Sequence, residues 1–271
     1  MTFNSKKQLS QFLAEDVGKG DITSNLLPKK RILVKIISRE NAILAGVTYA
    51  KEIFKLKGCN CKILKKDGTK IKPNQTIMII TGNAGNILTC ERTALNLLTR
   101  MSGIATQTNS LVKKIPKKTK LYATRKTAPG LRHFDKEAVE IGGGEKHRLT
   151  LDEMVMIKDN HIAVGDSLSS LIKKTKKKYK KFEVEVENTA DAVLAAKEGA
   201  TIIMLDNFTP AQIKKTIQTL KKMKLRSKVM LEASGGITSK NISKYGQTGV
   251  DIISVGSITN SVKGIDMSLE I

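Results

Sequence analysis

The sequence predicts an α/β chain in two parts, a mixed α+β segment up to about residue 110 and then a parallel α/β barrel. Three observations lead there. After Lys118, short and almost wholly apolar or β-branched runs alternate with helical segments. Each run leads straight into polar residues that apolar patterning does not require. Before residue 110 the texture differs, with strand-like runs set between turns.

In the first part, residues 7–15 form a short helix. The runs 31–38 and 76–81 read as strands, with turns at Asp67-Gly68 and Pro73-Asn74. Residues 90–114 form one long helix, because Ala94, Leu97, Leu98, Met101, Ile104 and Ala105 recur at helical spacing and Pro116 stops it. This helix joins the two halves.

The second part holds six runs, at 121–124, 154–157, 182–186, 201–205, 229–231 and 251–255. Continuous apolar strands alternating with helices mean a parallel sheet covered from outside, and a right-handed succession of six units closes, or nearly closes, as a barrel. A doubly wound open sheet is the alternative. No G-x-G-x-x-G follows any of the strands, which leaves its dinucleotide-binding version without support. The final stretch, 265–271, is too short for another unit and is expected to return to the first domain.

Polar residues collect where these runs end. Arg125 and Lys126 follow the first, Lys158 to His161 the second, Asp206 and Asn207 the fourth, Ser234 to Gly236 the fifth, and Gly256 and Ser257 the sixth. Barrel enzymes place their catalytic groups at this rim. In 182–187, Glu183, Glu185 and Glu187 alternate with Val184 and Val186. An edge strand would show those acids to water; a barrel sends them inward and requires cations or metal as partners. Glu185 and Asp206, on neighbouring strands, suit a hard ion such as magnesium, held directly or through water. The glycines of LEASGGIT let backbone N–H groups face an anion, with Thr238 or Ser239 as helix cap, and VGSIT offers a second small turn. The Gly142-Gly143-Gly144 run is expected to put His147 and Arg148 on a mobile segment. Arg125, Lys126, His147, Arg148 and Lys158 gathered in one cleft would repel one another unless the ligand carries several negative charges.

Composition removes other classes. Apolar residues make up 40% and charged residues 27%, which is ordinary for a soluble globular chain, and no apolar run approaches the ~20 residues of a membrane span. The net charge of +23 invites a nucleic-acid reading, but the lysines are dispersed, the densest run at 173–181 reads as a solvated helix end, and aromatic residues are only 4%. No nucleic-acid or membrane partner is expected. Three cysteines, Cys59, Cys61 and Cys90, in a chain whose start lacks a signal-peptide core, point to the cytoplasm; the lone C-x-C has no partner ligands at zinc spacing.

The blocks ERTALNLLTRMSGIAT, ATRKTAPGLRHFDKEAVEIGGGEKHRLTLDEMVMIKDNHI, EVEVEN, IIMLDN, LEASGGIT and DIISVGSIT, with LAEDVGKGDITS near the start, closely resemble the carboxylating nicotinate-nucleotide pyrophosphorylases. These are the quinolinate phosphoribosyltransferases of NAD biosynthesis. The resemblance covers essentially the whole chain. It implies an N-terminal α/β sandwich domain followed by an incomplete, seven-stranded α/β barrel, with boundaries at 1–110 (sandwich and linking helix), 111–264 (barrel) and 265–271 (returning tail).

The resemblance further implies transfer of the phosphoribosyl group of phosphoribosyl pyrophosphate to quinolinate, with magnesium, in a homodimer or a hexamer built as a trimer of dimers, its sites shared between subunits. Lys126, Lys158, Glu185 and Asp206 are then the catalytic set. Arg92, Thr124, Arg125, Lys126, His147, Arg148 and Lys158 hold quinolinate, with Arg92 supplied by the neighbouring subunit. Lys158, Glu185, Asp206, Ser234, Gly235, Gly236, Gly256 and Ser257 hold phosphoribosyl pyrophosphate, and Glu185 and Asp206 the magnesium. Ala123 departs from the aspartate that many relatives carry before T-R-K. A sister group associated with molybdenum transport shares much of the pattern but lacks the K-D-N-H block, present here as Lys158 to His161. A non-catalytic basic binding protein on a decayed barrel is the remaining alternative; retention of Glu185 and Asp206 beside the bases counts against it.

Overall fold

A computed structural model describes residues 4–165 and 167–271. The chain packs as two units. One holds the residues up to Asn109 together with Ala128–Gly143 and Ser261–Ile271; the other holds Ser110–Thr127 and Gly144–Asn260.

In the first unit, α1 (Ser5–Val17) starts where the Asn4 side chain accepts the Lys7 N–H at 3.0 Å, and it buries Leu9 and Leu13, one turn apart. The elements β1 (Arg31–Ser38), β2 (Ala42–Ile43), α2 (Val47–Leu56), β3 (Asn60–Ile63), β4 (Lys70–Ile71) and β5 (Thr76–Asn83) follow. Val47, Ala50, Ile53 and Phe54 form the buried stripe of α2, which packs on β3 and β5. Helix α3 (Ala84–Val112) is longer at its start than the sequence pattern suggests, because Gly85 and Asn86 belong to it despite weak helix propensity. Asn83 Oδ1 accepts the Gly85 N–H at 3.0 Å and supports that first turn.

In the second unit six strands run parallel. They are β6 (Lys120–Tyr122), β7 (Val155–Ile157), β8 (Phe182–Val186), β9 (Ile202–Asp206), β10 (Met230–Ser234) and β11 (Ile252–Ser254), in the order β6-β11-β10-β9-β8-β7. The helices, in chain order, are α4 (Arg132–Ile141), α5 (Asp159–Val164), α6 (Leu168–Lys178), α7 (Thr189–Glu198), α8 (Pro210–Lys222), α9 (Ile242–Gly246) and α10 (Ser257–Asn260). Of these α4 belongs to the first unit, so the segment Ala128–Gly143, which the sequence boundaries put inside 111–264, packs apart from the barrel strands. A seventh strand reduces to one parallel bridge, Tyr122 to Glu145, at the free edge of β6. The incomplete barrel is therefore six strands and a bridge.

The last strand, β12 (Met267–Glu270), pairs antiparallel with β1 and completes the sheet β12-β1-β5-β3 of the first unit. The expected return of the tail is met. Among the described residues no helix is long and apolar enough to cross a membrane.

Candidate active site

A cavity of about 330 Å³ opens at the C-terminal ends of the barrel strands. Period two sets its lining. On β8, Phe182, Val184 and Val186 are buried on the side that α7 covers, which turns Glu183 and Glu185 into the barrel. The edge-strand alternative falls away because β8 lies between β7 and β9.

Thr124, Arg125 and Lys126 reach the cavity from the end of β6, His147 and Arg148 from just past the Glu145 bridge, and Lys158 from the turn between β7 and α5. Glu185, Asp206 and Ser234 face them. Lys158 Nζ lies 2.8 Å from Glu185 Oε2, and the Lys158 N–H donates to His161 Nδ1 at 3.0 Å, so His161 shapes the turn that presents the lysine. Asp206 accepts from its neighbour Asn207 at 2.7 Å.

Arg125 and Arg148 are close enough to influence each other. Burial lowers the Arg148 pKa and the Arg125 charge lowers it further. Arg125 Nε is buried without a partner among the described residues, whereas Arg148 Nη1 donates to the Met154 carbonyl at 2.9 Å. Two like charges repel by about 4 kcal/mol at 4 Å and intermediate dielectric, so a site of this kind favours a ligand with more than one carboxylate.

His147 stands over two buried acids. Its Nε2 lies 3.2 Å from Glu183 Oε2 on β8 and 3.5 Å from Glu232 Oε2 on β10. Burial opposes charge on the ring, but the two carboxylates outweigh it and push the pKa up to about 9. The Arg148 N–H, 2.7 Å from Nδ1, works the other way because it needs a lone pair there. Both influences agree that Nε2 carries hydrogen. Burial, and then the charge of Glu232, raise the Glu183 pKa, while His147 lowers it. Glu183 and Glu232 oxygens have no well-aligned hydrogen bond among the described residues, and a buried carboxylate in that state costs several kcal/mol.

The glycine run before this pair is not a free hinge. A Cβ on Gly142 would lie 2.5 Å from the Ala105 carbonyl of α3, so close packing explains that glycine. Glu145 is then tied to β6 through its N–H to the Leu121 carbonyl at 2.8 Å and its carbonyl to the Ala123 N–H at 3.0 Å. The mobile segment expected from sequence is a strand-like tether.

A second hollow of about 240 Å³ shares Thr124, Lys126, Ser234 and Ser254 with the first, and Gly235, Gly236, Gly256 and Ser257 line it. Gly235 has φ 89°, and a Cβ there would sit 2.2 Å from Asn207 Oδ1, so glycine is required by both conformation and space. Neither Thr238 nor Ser239 caps the following helix. Asn241 occupies that position, and its Oδ1 accepts the Thr238 N–H at 2.7 Å. With α9 only five residues long, it is the loop backbone rather than a helix end that could face an anion here. Thr259 Oγ1 donates to the Lys126 carbonyl at 2.7 Å and binds the two loops together.

Of the residues that the resemblance assigns to catalysis or substrate binding, all but Arg92 line these two hollows, whereas His161, Glu183, Glu187 and Asn207 do not. Arg92 is exposed on α3, in the other unit. Glu232 was missed because a glutamate directly after an apolar run reads as a strand end.

Sequence comparison gives two family matches over this geometry. Residues 21–102 match the N-terminal domain of quinolinate phosphoribosyl transferase, and residues 104–270 match its C-terminal domain. The chain belongs to the quinolinate phosphoribosyl transferase family. A probable carboxylating nicotinate-nucleotide pyrophosphorylase of Archaeoglobus fulgidus is 44% identical over 255 residues, covering 93% of this chain and 98% of that one. The Methanothermobacter thermautotrophicus relative of the same description is 42% identical, covering 97% of each. Among solved structures, nicotinate-nucleotide pyrophosphorylase from Francisella tularensis superposes with TM-score 0.91 at 40% identity, covering 98% of this chain and 95% of that one. The Ehrlichia chaffeensis enzyme gives 0.93 at 35%, covering 100% and 99%.

Proposed function

We propose that this chain transfers the phosphoribosyl group of phosphoribosyl pyrophosphate to quinolinate, giving nicotinate mononucleotide, pyrophosphate and carbon dioxide in NAD biosynthesis. The observation that carries it is one cavity with Arg125, Lys126, Arg148 and Lys158 on one side and Glu185 and Asp206 on the other, contiguous with a glycine-lined anion hollow. The relatives' shared description favours this over the molybdenum-associated sister group.

The chemistry follows from position and charge. Arg125, Arg148 and the two lysines clamp both quinolinate carboxylates, His147 completes that wall, and Thr124 borders it. The glycine loops hold the 5′-phosphate. The pyridine nitrogen then attacks ribose C1 as the C1–O bond to pyrophosphate breaks through an oxocarbenium-like state. Glu185 and Asp206 offer the hard oxygen donors that magnesium takes, and the ion, when bound, neutralises the departing pyrophosphate. The ring nitrogen is now positive, so the C2 carboxylate leaves as carbon dioxide, its electron pair stays on C2, and a proton replaces it. Lys126 and Lys158 are the ammonium groups in reach of that task.

The enzyme works in the cytoplasm as a homodimer, or a hexamer of three dimers, in which Arg92 of each subunit serves the other's pocket. Its exposure on α3, outside its own cavity lining, supports this reading.

A turnover assay with phosphoribosyl pyrophosphate and magnesium tests the proposal, with quinolinate and nicotinate compared. Quinolinate is expected to react and nicotinate to fail, since a missing carboxylate leaves buried cations unpaired at a cost of a few kcal/mol. Equal turnover of the two acids would refute it.

A further inference from the structure

Glu183 and Glu232 belong to no part of the mechanism above, yet both are fully buried inside the barrel. They lie on β8 and β10, with β9 between them, and converge on one atom, His147 Nε2. A histidine and two glutamates with ligand atoms within 4.8 Å of one another could hold a metal ion. The other ring nitrogen argues against it. A metal on Nε2 requires the proton to sit on Nδ1 and to be donated outward, whereas Nδ1 here faces the Arg148 N–H at 2.7 Å. Nε2 therefore keeps its hydrogen, within ion-pair distance of the two carboxylates.

The acids have a second consequence. His147 has φ 54°, a left-handed backbone that non-glycine residues adopt only when their surroundings enforce it. The ring is held by the carboxylates and by the edge of Tyr122, 5.4 Å away and perpendicular to it. The next residue is Arg148, whose guanidinium enters the cavity. Ring, turn and guanidinium form one chain of constraint.

We propose that Glu183 and Glu232 are positioning residues for quinolinate: they grip the His147 ring from inside the barrel, fix its left-handed turn and so aim Arg148 at a substrate carboxylate. The Glu183 charge also acts on the Arg148 guanidinium. No group has to change its protonation for this to work. The inference rests on the reading of the site as a quinolinate pocket.

The test uses Glu183→Gln and Glu232→Gln in the full-length enzyme, with KM for each substrate, kcat and the thermal midpoint measured. Loss of either charge is expected to raise the KM for quinolinate about tenfold or more, as for other groups that orient a binding residue, with the KM for phosphoribosyl pyrophosphate changing by less than about twofold. The midpoint should hold or rise, because each change removes a buried charge. A purely structural role gives the reverse, a lower midpoint with unchanged KM, and overturns the proposal. If neither variant folds, nitrogen-15 NMR of His147 in the unaltered enzyme decides. Hydrogen on Nε2 supports the proposal; hydrogen on Nδ1 alone, or a stoichiometric chelatable metal in the purified protein, overturns it. Absence of quinolinate turnover in the unaltered enzyme would sink the functional reading instead, so the two failures are separable.

Discussion

Lys158 Nζ sits 2.8 Å from Glu185 Oε2, an ion pair that joins the end of β7 to the inner face of β8 across the mouth of the cavity. In the proposed mechanism this pair sets a lysine that clamps substrate directly beside the acids proposed for magnesium.

Replacing Lys158 by alanine removes both the clamp and the partner of Glu185. Turnover is expected to fall by about a hundredfold or more, in line with loss of one preorganised electrostatic group. The lysine side chain is about one-third exposed and carries no core packing, so the thermal midpoint should stay near that of the parent. Near-normal turnover would remove Lys158 from the site.

Asp206→Ala leaves Glu185 as the single carboxylate on the metal side of the cavity. The magnesium concentration for half-maximal rate should rise, or turnover should vanish, since magnesium held by one or two carboxylates has few alternatives. Titration of activity against magnesium checks this. An unchanged curve would separate Asp206 from the metal.

Shared sites make a sharper expectation. Arg92→Ala and Lys126→Ala should each be inactive, but a mixed dimer holds one pocket with both defects and one with neither. Random pairing makes about half the dimers mixed, so reassembly should restore up to about a quarter of parental activity. If subunit exchange is verified by mass and the mixture remains inactive, Arg92 serves its own subunit.

Cys59 and Cys90 should behave as buried thiols and Cys61 as a half-buried one. They are free; burial pushes the Cys61 pKa up to about 11 and the Cys90 pKa up to about 12, and raises that of Cys59. Native protein at about pH 8 should react slowly with a thiol reagent, and denatured protein should release all three groups at once. The sign for stability follows. Unfolded thiols ionise from about pH 8.5 while the folded ones stay protonated, so rising pH favours the unfolded chain over that window. Rapid reaction of Cys90 in native protein would contradict its burial.

The legible parts of this molecule were those with local signals. Residues 182–186 were found with their full extent because valine and glutamate alternate, and the same alternation put Glu185 on the face that lines the cavity. The run at 229–231 was cut short, since β10 continues to Ser234 through Glu232, a buried acid that breaks the apolar pattern at a functional site. Its meeting with Glu183 was unreadable for a different reason. Strands separated by β9 bring side chains together only through the curvature of the barrel, which no local pattern encodes. The loops that line the second hollow were legible from their glycines, but the helix cap was misassigned because Thr238 and Asn241 compete for one short turn.

The pairing of β12 with β1 bears on how the chain is made. On the ribosome β1 emerges early and can take β5 on one side, but its other edge stays open until residues 267–270 leave the exit tunnel. At roughly 5–20 residues per second the whole second unit is translated in that interval. The nascent protein therefore carries an unpaired strand edge for roughly ten to forty seconds, guarded in the meantime by Arg31 and Lys35, whose charges discourage pairing with other chains. The first sheet to begin is the last to be completed, and it closes only once β12 has been made.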